Sequence, residues 1–211
     1  MTAPTAPVLA VVEHHDGRPR ASALELLTAG RALGPVHAVW LGDPPDDAGP
    51  LAAHGAAVVH VVPVPTPEAG LPASVAAALA GLAEATGADV VLLASGFGAK
   101  EVAARLAHAT GAALMVDASA VERDGEGRVV TTQQAFAASW TLRSAAQVGR
   151  AVVTLRSNAV RATPAETPGA AEVRVAAPAR PADPRVRVVE RTARPASDRP
   201  DVGEADVVVV G

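Results

Sequence analysis

Apolar and polar positions follow one repeated rhythm through the first half of this chain. Four times an alanine-rich stretch of helical period ends at a glycine and passes into an apolar run: Gly34 before Val36–Leu41, Gly55 before Val58–Val62, Gly87 before Val90–Ala94, and Gly111 before Ala113–Val116. Glycine suits the left-handed position that closes a helix, and a run apolar on both faces suits a strand covered on two sides. The pattern predicts repeated βα units on a parallel sheet, opened by the strand Val8–Val12 and the loop Glu13–Arg20.

The helical stretches carry matching signals. Ser22 with Glu25 three residues on reads as a capping box, Ala23, Leu26, Leu27, Gly30 and Leu33 share one face, and Gly34-Pro35 stops the helix. A second helix over 72–86 turns Val75, Leu79 and Leu82 inward, and a third over 99–110 turns in Val102 and Leu106 and pairs Glu101 with Arg105. Only Leu51–His54 predicts helix between Leu41 and Gly55.

After Met115 the rhythm changes. Val121–Arg123, the turn Asp124-Gly125-Glu126-Gly127 and Arg128–Gln134 predict a hairpin, and Trp140–Arg143 and Ala151–Leu155 two further strands, together a small antiparallel addition. Five prolines between 163 and 184 predict an excursion with little regular structure. Arg185–Glu190 is strand-like, Ser197–Pro200 a polar link, and Val207–Val210 a buried strand that would open another unit. The expected organisation is a three-layer α/β/α, Rossmann-like scaffold domain over 1–162, an excursion, returning strand and link over 163–200, and over 201–211 the first strand of a truncated domain.

Composition narrows the function. The 211 residues hold no cysteine, which excludes disulfides, thiolate metal centres and cysteine nucleophiles. A net charge of −4 and only four aromatic residues, Trp40, Phe97, Phe136 and Trp140, argue against a nucleic-acid binder. The apolar runs fall short of the roughly 20 residues of a membrane span, and no basic segment precedes the first of them, so a cytoplasmic location is expected.

Candidate chemistry is sparse. Ser95-Gly96-Phe97-Gly98-Ala99-Lys100 follows a strand and opens a helix, a place where an anion can bind, with Ser95, Gly96, Gly98 and Lys100 as its contacts. Glu101 stands where a dinucleotide fingerprint has its third glycine, so the loop reads either as a tight packing turn or as the site of a nucleotide-binding domain. His14 and His15 are adjacent, His37 and His60 fall on strands, His54 and His108 near helix ends, and none forms a metal-ligand pattern. Ser95, Ser119 and Ser139 lack the nucleophile-elbow spacing, so no self-contained catalytic site is expected. Arg143, Arg150, Arg156 and Arg161 form either a solvated face or a surface that pairs with a partner's acidic groups.

The order of several segments resembles the N-terminal domain of the electron transfer flavoprotein α subunit. The resemblance rests on Val8-Leu9-Ala10-Val11-Val12-Glu13-His14, on Val91-Leu92-Leu93-Ala94-Ser95 through Gly98-Ala99-Lys100-Glu101 to Leu106, and on Asp117-Ala118-Ser119-Ala120-Val121. It continues in Val153-Thr154-Leu155-Arg156-Ser157-Asn158-Ala159 and in Ser197-Asp198-Arg199-Pro200-Asp201 leading to Val207–Gly211. It implies a heterodimer with a β subunit that carries electrons from dehydrogenases to a quinone-linked acceptor through FAD, without being an enzyme in its own right. It also implies that the flavin is held mainly by a C-terminal domain beyond Gly211, so no flavin-contacting residue is carried over and no cofactor is expected on this segment alone. Where the family has Tyr-Ala-Gly-Asn-Ala, this chain has Phe136-Ala137-Ala138-Ser139-Trp140.

Overall fold

The computed structural model describes residues 6–183, 185–192, 207 and 209. Its main sheet has nine strands in the order β11-β5-β4-β1-β6-β10-β7-β8-β9. These are β1 (Val8–Val12), β4 (Val36–Leu41), β5 (Ala56–Val62), β6 (Val90–Ala94), β7 (Ala113–Arg123), β8 (Val129–Ala135), β9 (Trp140–Ala145), β10 (Ala151–Leu155) and β11 (Glu172–Val175). Two short strands, β2 (His14–His15) and β3 (Arg18–Pro19), form a separate hairpin inside the loop expected after β1.

The chain steps from β1 outward to β4 and β5, then reverses and steps from β6 toward β7. Right-handed crossovers travelling in opposite directions place their helices on opposite faces. Helices α1 (Ala21–Gly30) and α2 (Gly49–Ala53) therefore cover one face, and α3 (Pro72–Thr86) and α4 (Phe97–Thr110) the other. The result is the expected three-layer α/β/α fold. One apolar layer joins Ala10, Leu26, Trp40 and Leu92, and the other joins Leu9, Leu79, Leu93 and Leu106. All five residues of β1, β6 and β10 are buried, as runs apolar on both faces require. Gly87 and Gly111 close α3 and α4 at φ +68° and +64°, the left-handed values their positions demand.

Several expectations need correction. Ser22 does not cap α1: Arg20 is the N-cap, the Ser22 hydroxyl donates to Glu13, and the buried Glu25 accepts the Asn158 backbone N–H at 2.8 Å. Glu25 is thus spent on a contact 133 residues away that no local motif encodes. The same helix ends at Gly30, before Gly34-Pro35. Ala151–Leu155 does not join the antiparallel addition, because β10 inserts parallel between β6 and β7. Within the proline-rich excursion, Glu172–Val175 adds β11 parallel to β5 in an interval free of proline between Pro168 and Pro178. Arg185–Glu190 forms no strand; its Val188 N–H donates to the Glu68 carboxylate in place of a ladder partner. The link Ser197–Pro200 and the terminal run, except Val207 and Val209, lie outside the described residues.

Candidate functional site

Strand β7 holds two structures in one. Its first half runs parallel beside β10, from Ala113 opposite Ala151 to Ala118 opposite Leu155. Five residues later Arg123 donates to the Leu33 carbonyl at 2.8 Å and to both oxygens of Asp89, which precedes β6 at the opposite end of the sheet. The strand has turned back on itself, and β8 and β9 follow as an antiparallel extension.

The turning point is Asp117, a non-glycine residue at φ +55°. Three side chains converge on it at the carboxyl ends of β6 and β10. The Lys100 ammonium donates to Asp117 Oδ2 at 2.6 Å, the Ser95 hydroxyl donates to Oδ1, and the Asp117 N–H donates to Thr154 Oγ1 at 3.0 Å. Ser95 and Thr154 also lie 3.2 Å apart, within hydrogen-bond reach. The Lys100 and Ser95 hydrogen bonds hold the Asp117 carboxyl below the usual range.

These contacts assign the Ser95–Lys100 loop a place. Gly96 is the N-cap of α4, Gly98 lies in its first turn, and Lys100 and Ser95 both serve an anion the chain itself supplies. Asp117 and Thr154 are the members that sequence reasoning missed; they stand 22 and 59 residues from Ser95, so no spacing announces them. Within the loop the lysine is paired with Asp117, and Glu101, paired with Arg105, begins the next turn.

Three of the four aromatic side chains are exposed toward this end of the sheet. Phe97 is 98% exposed at the start of α4, and Phe136 and Trp140 are 80% and 65% exposed at the tip joining β8 to β9. Leu142 on β9 and Leu114 and Val116 on β7 are exposed as well. The tip follows Gln133, which pairs with Ala118, so it too lies toward the carboxyl end of the sheet. Phe136, Ala137 and Ala138 are successive left-handed residues, and Ser139 donates back to the Phe136 carbonyl through N–H and hydroxyl. A cleft of about 550 Å³, lined by Val11, Glu13, Arg20, Val75, Leu93 and Gly98 among others, opens at the same edge where β1 and β6 end.

The remaining candidates have local partners. His14 stacks on Trp40 with ring centroids 4.0 Å apart and donates to the Leu41 carbonyl, while His15 is exposed beside Asp16. His54 bonds the Pro50 carbonyl. Arg143 pairs with Glu122 and Arg150 with Glu84, so both arginines lean toward the reading of a solvated, internally paired face. Among the described residues no group of three histidine or carboxylate side chains is placed to hold a metal, and no helix is long and apolar enough to cross a membrane.

Comparison with known proteins agrees with this architecture. A family model described as the electron transfer flavoprotein domain matches residues 8–181. The electron transfer flavoprotein subunit alpha of Mycobacterium leprae is 36% identical over 209 residues, 98% of this chain and 64% of that protein. The protein of the same name from Mycobacterium tuberculosis H37Rv is 37% identical over 180 residues, 79% of this chain and 55% of that protein. The chain therefore spans less than two thirds of the length of these relatives. With the match running from β1 past β11, the chain belongs to the electron transfer flavoprotein domain family.

Proposed function

We propose that this chain is the N-terminal scaffold of an electron transfer flavoprotein α subunit. In this role it docks a β subunit and supports a flavin domain that follows in the full-length protein. The observation that carries the reading is the distribution of aromatic side chains: of four, only Trp40 is buried, and the other three stand exposed toward the carboxyl end of the sheet. Exposed aromatics on a rigid support are the composition of a docking surface, since each buries a large area at small entropic cost. The Asp117 cluster fixes the extension that carries two of them. The names of the relatives support a multi-subunit assembly.

In this assembly FAD carries electrons from dehydrogenases to a quinone-linked acceptor, and the flavin's own contacts come from residues beyond this segment. The protein acts as a carrier and not as an enzyme, with this segment supplying shape. Co-expression of the full-length subunit with its cognate β subunit, followed by gel filtration, tests the reading. The two should co-elute, and Phe136→Ala with Trp140→Ala should weaken association by at least about tenfold. Absence of any complex with the unmodified subunit would overturn it.

A further inference from the structure

Beyond that role, we infer that β11 and the strap after it form an acid-releasable latch, held by a neutral His37–His60 pair and by the Glu68 carboxylate. The strap is fastened at discrete points. After β11 the Ala176 and Ala179 N–H groups donate to the Val61 and Pro63 carbonyls, both at 2.8 Å. The Ala182 N–H then reaches the Ser74 hydroxyl at 3.0 Å, and Val188 reaches Glu68 Oε1 at 2.9 Å.

Beneath β11 lies His60, only 4% exposed, in register with Arg174. Its Nε2 shares a hydrogen bond of 3.1 Å with His37 Nδ1 on β4. One ring must donate and the other accept, so the contact requires that at least one facing nitrogen carry no proton. The groups around His60 give a second charge little support. Arg174 on β11 opposes it and Glu172 favours it; Arg180 of the strap and the neutral Ser74 and Thr86 of α3 line the same cavity. Burial, the neighbouring His37 and Arg174 together push His60 down from 6.5 to about 4, and His37 is lowered by burial and Arg174.

The sign follows. A histidine lowered by folding stabilises the closed strap above its ordinary value near 6.5, and that contribution is lost as pH falls toward 4. Glu68, held low chiefly by the Val188 N–H, loses its contribution in the same direction. Acid therefore weakens the β11 end as pH falls from 6.5 toward 4 and the Glu68 end only below 4.5, while the fully apolar β1 and β6 carry no such group.

Hydrogen exchange of the 211-residue chain between pH 7.5 and 4.5, corrected for intrinsic rates, reads the opening of the Ala176 amide against that of Leu92 in β6. The opening constant of Ala176 should exceed that of Leu92 and should itself rise about tenfold from pH 7.5 to 5.5, and His60→Gln should abolish most of that rise. An Ala176 opening constant that does not change with pH or is no larger than that of Leu92, or an undiminished rise in His60→Gln, would overturn the latch. NMR titration of the His60 ring in the unmodified chain provides a readout that needs no variant: the latch predicts a midpoint well below 6.5, and a midpoint near 6.5 sinks it.

Discussion

The parallel core and the antiparallel extension share strand β7, yet they solve opposite problems. In β1, β6 and β10 every residue is buried, and alanine and valine fill a sheet packed on both faces. In β9 the first four residues are exposed, although they pair fully with β8. Backbone hydrogen bonds alone therefore do not set exposure; the helices do, and α3 and α4 are placed against the parallel strands. The extension buries Val121 and Val129 on its inner face and adds polar fastenings at two ends, Asp117 at the fold-back and Arg123 against Asp89 and Leu33. A region fastened this way can afford an apolar outer face, because its fold does not depend on covering it.

That contrast breaks first in the core. Leu92 is fully buried in β6, and Leu92→Ala should cost about 2–5 kcal/mol through lost burial and a cavity. Leu142, 47% exposed on β9, should cost under about 1 kcal/mol on the same change. Urea denaturation of the two variants measures the difference directly. Equal losses would mean that the extension contributes to the core as a strand of the first rank.

The fold-back comes next in size. Asp117→Ala removes acceptors for Lys100 and Ser95 and leaves a non-glycine residue at φ +55°, which should cost about 1–2 kcal/mol at neutral pH. The half-exposed setting of the ion pair keeps the figure at that level. Hydrogen exchange should quicken in β8 and β9 while β1 stays protected. Because the carboxyl is held below its ordinary 3.8, its contribution is present above that value and lost as pH falls through the lowered one. The stability gap between variant and parent should accordingly narrow in acid, a trend that denaturation at pH 7 and pH 3 would detect.

The two regions also differ in how much of them the sequence makes legible. Helix α3 falls on the residues its period and its proline mark, and the parallel strands announce themselves as runs apolar on both faces. Neither β10's insertion between β6 and β7 nor the contact of Glu25 with Asn158 is encoded locally, since both join parts of the chain far apart. The cluster at Asp117 is invisible for the same reason. Ser95 and Lys100 stand out beside two glycines and suggest an external anion, whereas the anion they meet comes from another strand. Aromatic exposure is hidden too, because Phe97 lies in an alanine-rich helix with nothing in its neighbours to say which side meets solvent.

The smallest effect sharpens the comparison at the tip of the extension. Among the described residues six non-glycine residues have positive φ, and four of them, Asp117, Phe136, Ala137 and Ala138, belong to the extension, while none lies in β1, β6 or β10. A left-handed alanine costs roughly 1–2 kcal/mol against its right-handed form, whereas glycine is nearly indifferent. Ala138→Gly at φ +64° should remove that strain and return part of it as unfolded-state entropy, leaving a net gain of about 0.5–1 kcal/mol. For a chain of this size that is a rise in Tm of about 2–3 °C, within reach of calorimetry. The association with a β subunit proposed above should survive the change, since Phe136 and Trp140 remain in place. A fall in Tm would show that the Ala138 methyl group packs usefully where it stands, and the tip would then belong energetically with the core and not with the extension.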